Sequence, residues 1–287
     1  MYGNVAGFEA SASGAKADYY LTLREFKHGH IEAVLKAVRP MMMEQAKSRF
    51  ESSGAKTPGY LNTPSELSDA QRAENHNRAV RRAKQSIRFL CKEAGMDRLL
   101  TLTYRENMQD RELVREHFTK FLRLLRKAVG EWVYVAVLEI QDRGAYHIHC
   151  AVRGWQQISV IRRCWYKAIG GQGDERGDKT PGQVDVTSPR GARRGAMQWQ
   201  TEKLAGYITK YLSKTFDEGT AEKRRFWAAK ELEKPEVSRI WIGGTNVGDA
   251  IMNTASFLQT FVGLRPDFQM WLSRSSDTFW IAGKGSA

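Results

Sequence analysis

The strongest constraint on the fold lies in the middle of the chain, where two β-rich runs flank a short polar turn. The runs cover residues 132–140 and 145–152, and the four residues between them are Gln-Asp-Arg-Gly. Two such runs joined by a short glycine-containing turn are typical of an antiparallel hairpin. The sequence therefore predicts a β-hairpin over residues 132–152, and the neighbouring elements must pack around it.

Further strands and helices are predicted on both sides of this hairpin. We expect a strand over residues 99–104, an amphipathic helix ending at Gly130, a helix over residues 158–169, a strand over residues 184–187 and a helix over residues 199–214. Glycine-rich loops flank the strand at residues 184–187. These elements form a central block over residues 98–230.

The two ends of the chain give weaker signals. Residues 1–97 read as a basic helical region with a polar linker at residues 52–65, because Ile31, Val34, Leu35 and Val38 follow a helical period and so do apolar residues between 73 and 90. The basic residues of the second helix either form a solvated face or face DNA. Residues 231–287 are rich in aromatic residues without a clear period, and their architecture is not predicted.

The charge balance indicates a polyanionic partner. The chain of 287 residues has 45 Lys and Arg against 32 Asp and Glu, which gives a net charge of +13. Such an excess is expected of a nucleic-acid-binding protein. A membrane surface would also attract it, but that function usually needs a basic amphipathic helix or a lipidation signal, and the sequence shows neither. We therefore expect nucleic acid as the partner and no membrane.

Several other classes of protein are disfavoured. The apolar runs are too short to span a bilayer, and residues 1–16 lack the pattern of a secretory signal. Cys91, Cys150 and Cys164 are odd in number and contain no Cys-x-x-Cys pair, so they predict neither a disulfide framework nor a cysteine zinc site. A reducing cytoplasm fits these features.

The second hairpin strand carries a candidate metal site. His147 and His149 are two residues apart, so their imidazoles point to the same face of a strand and suit one divalent ion, although a half-buried strand can also carry two histidines by chance. The hairpin folds Glu139 back beside them, either as a third ligand or as an ordinary surface carboxylate. Gln141 lies on the same face if the strand continues, and could orient a ligand or replace one.

The helix at residues 199–214 carries a second candidate group. Tyr207, Lys210, Tyr211 and Lys214 share one helical face. Tyrosines alone are more often packing residues, but the lysines among them make burial costly. The chemical interpretation is that one or both phenols act as a nucleophile while Lys210 supplies positive charge to a phosphate or a phenolate.

Taken together, these motifs resemble the rolling-circle replication initiators of the HUH endonuclease superfamily. In that family a threonine-containing strand, a His-hydrophobic-His strand and a Tyr-x-x-Lys helix follow one another, as residues 99–104, 147–149 and 207–211 do here. The second tyrosine, Tyr211, is similar to that of the two-tyrosine bacteriophage and plasmid type. The resemblance covers about residues 78–227.

This resemblance implies an α+β fold with an RRM-like five-stranded antiparallel sheet packed with helices, preceded here by an N-terminal helical extension. It implies a domain over residues 98–230 that nicks one strand of origin DNA, forms a 5′-phosphotyrosine intermediate and rejoins the strand. Tyr207 and Tyr211 match the nucleophiles and Lys210 their companion lysine. His147, His149 and Glu139 match the ligands of Mg²⁺ or Mn²⁺.

The implied partners follow from the same assignment. Single-stranded origin DNA would be held through its backbone by basic residues at the hairpin turn, in the loop after residue 187 and on the tyrosine helix: Arg143, Arg190, Arg193, Arg194 and Lys214. No phosphate-binding loop of the helicase type occurs, so a host helicase and DNA polymerase in the bacterial cytoplasm are expected. The alternatives are an HUH-type transposase and, in a different class, a non-catalytic nucleic-acid-binding module.

Overall fold

A computed structural model describes residues 19–37, 68–187, 197–214, 226–273 and 278–286. The chain forms two compact units, one over residues 67–234 and the other from residues 1–66 together with 235–287. The sequence prediction places its divisions elsewhere, at residues 97 and 230. We call the two units the central unit and the terminal unit.

The described residues form ten strands and five α-helices. The strands are β1 (Tyr19–Glu25), β2 (His30–Ala37), β3 (Arg98–Tyr104), β4 (Tyr134–Ile140), β5 (Tyr146–Val152), β6 (Gly182–Thr187), β7 (Trp227–Ala228), β8 (Glu236–Ile242), β9 (Gln269–Ser273) and β10 (Thr278–Lys284). The helices are α1 (Asp69–Glu93), α2 (Arg111–Val129), α3 (Ile158–Ala168), α4 (Met197–Lys214) and α5 (Val247–Phe261). The protein is therefore of the α+β class, as expected.

The central unit is built on a five-stranded antiparallel sheet with the strand order β6-β3-β5-β4-β7. Residues alternate between its two faces along each strand. One face, which includes Leu102 and Ile148, packs in a core with Phe121 of α2 and Trp165 of α3. The other face packs against α1 and α4. Helices therefore cover both faces, and the sheet supplies residues to two separate cores.

The second face is the one that positions the candidate site. Its core contains Val137 of β4 and Ala151 of β5 together with Ile87 of α1 and Leu204 and Ile208 of α4. His149 lies two residues from Ala151 on β5, so it is on this same face. The histidine strand and the tyrosine helix are thus joined by a shared apolar core.

Most elements of the central unit are where the sequence places them. The hairpin is present as β4 and β5, with Glu139 paired opposite His147. The helix expected to end at Gly130 is α2, and Gly130 follows its last residue with a φ of +82°. The two-residue strand β7, which completes the sheet beside β4, was not predicted.

The prediction of an N-terminal helical extension is wrong for residues 31–37 and right for the second helix, which is α1. Residues 30–37 form β2, in which Ile31, Ala33 and Leu35 are buried and Lys36 is exposed. The strand is paired on both sides, with β1 and with β10. Pairing with a strand from the far end of the chain overrides the weak helical spacing of these residues.

The terminal unit contains a second antiparallel sheet, with the strand order β8-β1-β2-β10-β9. Helix α5 packs on one face of it, where Leu258 shares a core with Leu21, Leu35 and Phe279. The unpredicted residues 236–284 therefore complete a sheet that begins with the hairpin of β1 and β2. Neither end of the chain could form this sheet alone.

Two further features bear on the class of protein. None of the described helices is long and apolar enough to cross a membrane. Cys91, Cys150 and Cys164 are free and buried. Burial raises the pKa of the Cys91 thiol to about 12 and also raises the pKa of Cys150, so these thiols are packing groups rather than nucleophiles.

We predict that Gly182→Ala destabilises the central unit by about 1–3 kcal/mol, the range for overpacking a core. A Cβ at this position would collide with the backbone oxygen of Thr103 and lie 3.1 Å from Nε1 of Trp165, which donates a hydrogen bond of 3.0 Å to that oxygen. Urea unfolding followed by fluorescence measures the change.

The matched control is Gly206→Ala in α4, where nothing lies within 4 Å of an added Cβ. This change should stabilise the protein by about 0.5–1 kcal/mol, because alanine is the better helix former. Equal unfolding midpoints for Gly182→Ala and the wild type would contradict the close approach of β6 to β3.

Candidate active site

The hairpin brings three possible metal ligands to one face of the central sheet. The register pairs Glu139 with His147, and His149 lies on the same face two residues further along β5. Nε2 of His149 lies 2.7 Å from Oε2 of Glu139. His149 is 5% exposed, so its contact with the carboxylate is largely shielded from water.

A third strand holds the other side of the His149 ring. Thr101 of β3 is paired with His149, and its Oγ1 lies 3.2 Å from Nδ1 of the imidazole. A hydroxyl donates to Nδ1 when the proton is on Nε2 and accepts from Nδ1 when the proton is there. Thr101 can therefore hold the ring both when Nε2 faces the carboxylate and when Nε2 ligates an ion.

The hairpin turn contacts the other histidine. Nε2 of Gln141 lies 3.1 Å from Nδ1 of His147, and Nε of Arg143 donates a hydrogen bond of 3.2 Å to Oε1 of Gln141. The residues predicted at the turn thus form a chain of contacts from Arg143 through Gln141 to His147. The guanidinium orients the amide, and the amide contacts the ring.

The turn itself is fixed by the segment that precedes α2. The backbone oxygen of Arg143 accepts hydrogen bonds from Nδ2 of Asn107 at 3.2 Å and from Nε2 of Gln109 at 3.3 Å. Gly144 has a φ of +82°, and an added Cβ would lie 3.0 Å from Nε2 of Gln109. A turn that is closed in this way requires glycine at this position.

Burial sets the charge state of His147. Desolvation lowers its pKa below the ordinary value, and the neighbouring His149 lowers it further, while Glu139 acts in the opposite direction. The imidazole is therefore neutral at pH 7 and has a lone pair to offer. Neutral imidazole is the form that ligates metal ions.

The donor set fits a divalent metal ion. One ligand atom from each of Glu139, His147 and His149 lies within 4.8 Å of the others. Two imidazoles and one carboxylate leave coordination positions open for water or a phosphate oxygen. The site could therefore hold a metal ion in a catalytic rather than a closed structural arrangement.

The tyrosine helix packs on the same face of the sheet. In α4, Leu204, Ala205 and Ile208 are buried in the shared core, whereas Tyr207 is 45% exposed and Lys210 is exposed. The helix is joined to α1 by an ion pair between Nζ of Lys92, which is buried, and Oε1 of Glu202 at 2.6 Å. Tyr207 thus has an accessible phenol on a helix that is held firmly.

The remaining predicted site residues are only partly covered by the structure. Tyr211 and Lys214 lie in α4, but their side chains are outside the described residues. Arg190, Arg193 and Arg194 also lie outside them. The structure brings Glu139, Gln141, Arg143, His147 and His149 together, and it places Tyr207 and Lys210 on the helix that covers this face.

Sequence reasoning missed the roles of Thr101 and of Asn107 and Gln109. Thr101 was noted only as part of a β-rich run, because its contact with His149 depends on the pairing register of β3 and β5. The turn contacts depend on the path of the loop before α2. The adjacency of the threonine strand to the histidine strand was the one signal that could have indicated the first role.

Comparison with known proteins points in the same direction. Residues 97–216 match a family model described as the replication-associated protein ORF2. The matched segment contains β3, the hairpin and α4, and the match supports a replication initiator. Among curated proteins and among solved structures, nothing matches the chain.

We predict that Thr101→Val weakens Mn²⁺ binding by about 10- to 100-fold, the usual cost of losing a group that orients a metal ligand. Valine keeps the shape of threonine but neither donates nor accepts. Titration of free Mn²⁺ by electron paramagnetic resonance measures the affinity.

Two variants make this measurement specific. Thr103→Val changes the same residue type on the same face of β3 and should leave the affinity near that of the wild type, and Thr101→Ser should restore most of it. An affinity that is equally low in both valine variants would show that the strand, and not the hydroxyl, is responsible.

Proposed function

We propose that the protein is an HUH-type rolling-circle replication initiator, which nicks one strand of origin DNA, forms a 5′-phosphotyrosine intermediate and rejoins the strand. The observation that carries the proposal is the cluster of Glu139, His147 and His149 on the sheet face that α4 covers with Tyr207. The match of residues 97–216 to a replication-associated family supports it. The net charge of +13 favours binding to DNA.

The nucleophile in this proposal is the phenol of Tyr207. Its oxygen attacks the phosphorus of a phosphodiester, a new P–O bond to tyrosine forms, the bond to the 3′ oxygen breaks, and that oxygen leaves as a hydroxyl after taking up a proton. Lys210 is exposed on the next part of the same helix and supplies positive charge near the phosphate. The energy of the broken ester is kept in the phosphotyrosine, so the strand can be rejoined.

The metal site has a separate task. A Mg²⁺ or Mn²⁺ ion held by Glu139, His147 and His149 would offset the negative charge that develops on the phosphate oxygens. The residues of the chain prepare this site: Thr101 orients His149, and Gln141 contacts His147. Arg143, at the hairpin turn, is positioned beside them to bind the DNA backbone.

A second tyrosine completes a round of replication. Tyr211 follows Tyr207 by four residues on the same helix, which places both on one side of it. After one round, the free phenol attacks the regenerated origin junction while the first tyrosine releases its strand as a closed circle. Lys214 and the basic residues Arg190, Arg193 and Arg194 hold the DNA backbone in this scheme.

The partners in this scheme are single-stranded origin DNA and the replication enzymes of a bacterial host. A helicase opens the duplex behind the nick, and a polymerase extends the 3′ hydroxyl. An HUH-type transposase with one active tyrosine and a non-catalytic DNA-binding module are the alternatives. Substitutions of the tyrosines and of His147 separate these three functions.

We expect Tyr207→Phe to reduce the initial nicking rate by at least about 1,000-fold, because phenylalanine has no oxygen to form the ester. The measurement is a denaturing gel of labelled single-stranded origin DNA with Mn²⁺, followed by peptide mapping of the covalent adduct. Tyr211→Phe is the matched variant and should keep first cleavage while losing circular product. Circular product from Tyr211→Phe would favour a single-tyrosine transferase, and an unchanged rate for Tyr207→Phe would remove it from the nucleophile role.

We expect His147→Ala to abolish nicking and to leave binding of the same DNA in EDTA within about threefold of the wild type. The imidazole is a ligand in this proposal and makes no contribution to holding the DNA backbone. His117→Ala in α2, which removes a histidine outside the cluster, is the control and should nick normally. Wild-type protein that binds origin DNA but forms no adduct with any divalent metal would instead support the binding module.

A further inference from the structure

The terminal sheet has a second face, opposite the one that packs against α5. The pairing register places Trp241, Tyr20 and Lys36 in one row across β8, β1 and β2. The next row runs from Arg239 through Thr22, Val34 and Trp280 to Trp271 on β9. Four aromatic residues from four strands therefore lie on one face of this sheet.

The outer aromatic residues of this face are open to solvent. Trp241 is 60% exposed and Trp271 is 59% exposed, while Tyr20 and Trp280 are half-buried. The rings of Tyr20 and Trp241 meet at 64° with centroids 5.5 Å apart, which holds Trp241 in place while most of it stays exposed. Large exposed aromatic residues in one patch mark a binding surface.

The charged residues of the same face are mainly basic. They are Arg24, Lys36, Arg239 and Lys284, of which Lys36, Arg239 and Lys284 are exposed. Among the described strand residues, the acidic residue of this face is Glu32, which is 0% exposed and lies 3.5 Å from His30. The accessible part of the face therefore combines aromatic rings with positive charge.

We propose that this face of the terminal sheet binds single-stranded DNA, with Trp241 and Trp271 as stacking platforms and with Lys36 and Arg239 contacting phosphates. Aromatic rings on a sheet with cations between them suit unpaired bases and their charged backbone. A duplex does not fit this surface, because its bases are already stacked on one another. The inference concerns the terminal unit and does not depend on the nicking activity of the central unit.

The dimensions of the face agree with a strand of several nucleotides. β8 and β9 are the two edges of the sheet, and four spacings of about 4.8 Å separate them by roughly 19 Å. Known single-strand binders of comparable size cover roughly 4–16 nucleotides per domain. Trp241 and Trp271 would therefore stack on different bases of one strand, so each should contribute to affinity separately.

The test measures binding of fluorescein-labelled dT20 to the full-length protein by anisotropy, in EDTA so that no strand is cut. Trp241→Ala and Trp271→Ala should each raise Kd by about 5- to 150-fold, the range for one stacked base. Trp155→Ala is the matched control, since Trp155 is 82% exposed in the central unit, and it should bind like the wild type. Trp241→Phe keeps an aromatic ring and should recover most of the affinity.

Arg239→Gln and Lys36→Gln provide a second measurement that does not require removing a large side chain. Each should lower the slope of log K against log salt by about 0.7, the value for one phosphate contact on a single strand. Circular dichroism confirms that each variant is folded. Unchanged affinity in both tryptophan-to-alanine variants, or unchanged salt slopes in both glutamine variants, would overturn the proposal, and so would a duplex that competes as well as dT20.

The same variants separate this inference from the proposed endonuclease. Trp241→Ala should still nick a saturating concentration of origin DNA in Mn²⁺, because the nucleophile and metal ligands are in the other unit. If no variant and no wild-type preparation nicks DNA, the anisotropy results still decide whether the terminal face binds a single strand.

Discussion

The register of the β4–β5 hairpin is the constraint on which the candidate site depends. It sets Glu139 opposite His147 and leaves His149 within 2.7 Å of the same carboxylate. A slip of one residue would turn every side chain of the strand to the other face and bury the imidazoles among the residues that pack on α2 and α3. The closed turn at Gly144 and the alternating apolar residues of both strands fix this register from two directions.

The same strands build both the core and the site, and this explains the mixed environment of the histidines. Val137 and Ala151 are fully buried beneath α1 and α4, whereas Glu139 and His147, one step further along the strands, are half-buried. The site therefore lies where the helical cover of the sheet ends. Partial burial there lowers the pKa of His147 and fixes His149 while keeping a path for a ligand.

The sequence predicted those features that depend on local pattern. The hairpin, helix α2 with its glycine at the end, and the shared face of His147 and His149 all follow from spacing over a few residues. β2 was predicted to be helical because Ile31, Val34, Leu35 and Val38 fit a helical period. Its strand partners β8 and β10 reach it or its neighbour from more than 190 residues away in the sequence, by the difference between Ala37 and Glu236, so no local pattern reveals them. The contact of Thr101 with His149 is hidden for the same reason, since it is set by pairing between separate strands.

The order of elements along the chain links the two units covalently at two points. The terminal sheet takes β1 and β2 from before the central unit and β8, β9 and β10 from after it. The central unit is therefore an insertion with two covalent connections to the terminal unit rather than one. Two connections restrict the separation of the units more than a single linker of the same length would. A strand of DNA held on the terminal sheet would then be tethered to the unit that carries the tyrosine helix, at a high effective concentration, so weak binding by each unit could give firm retention of one strand through both.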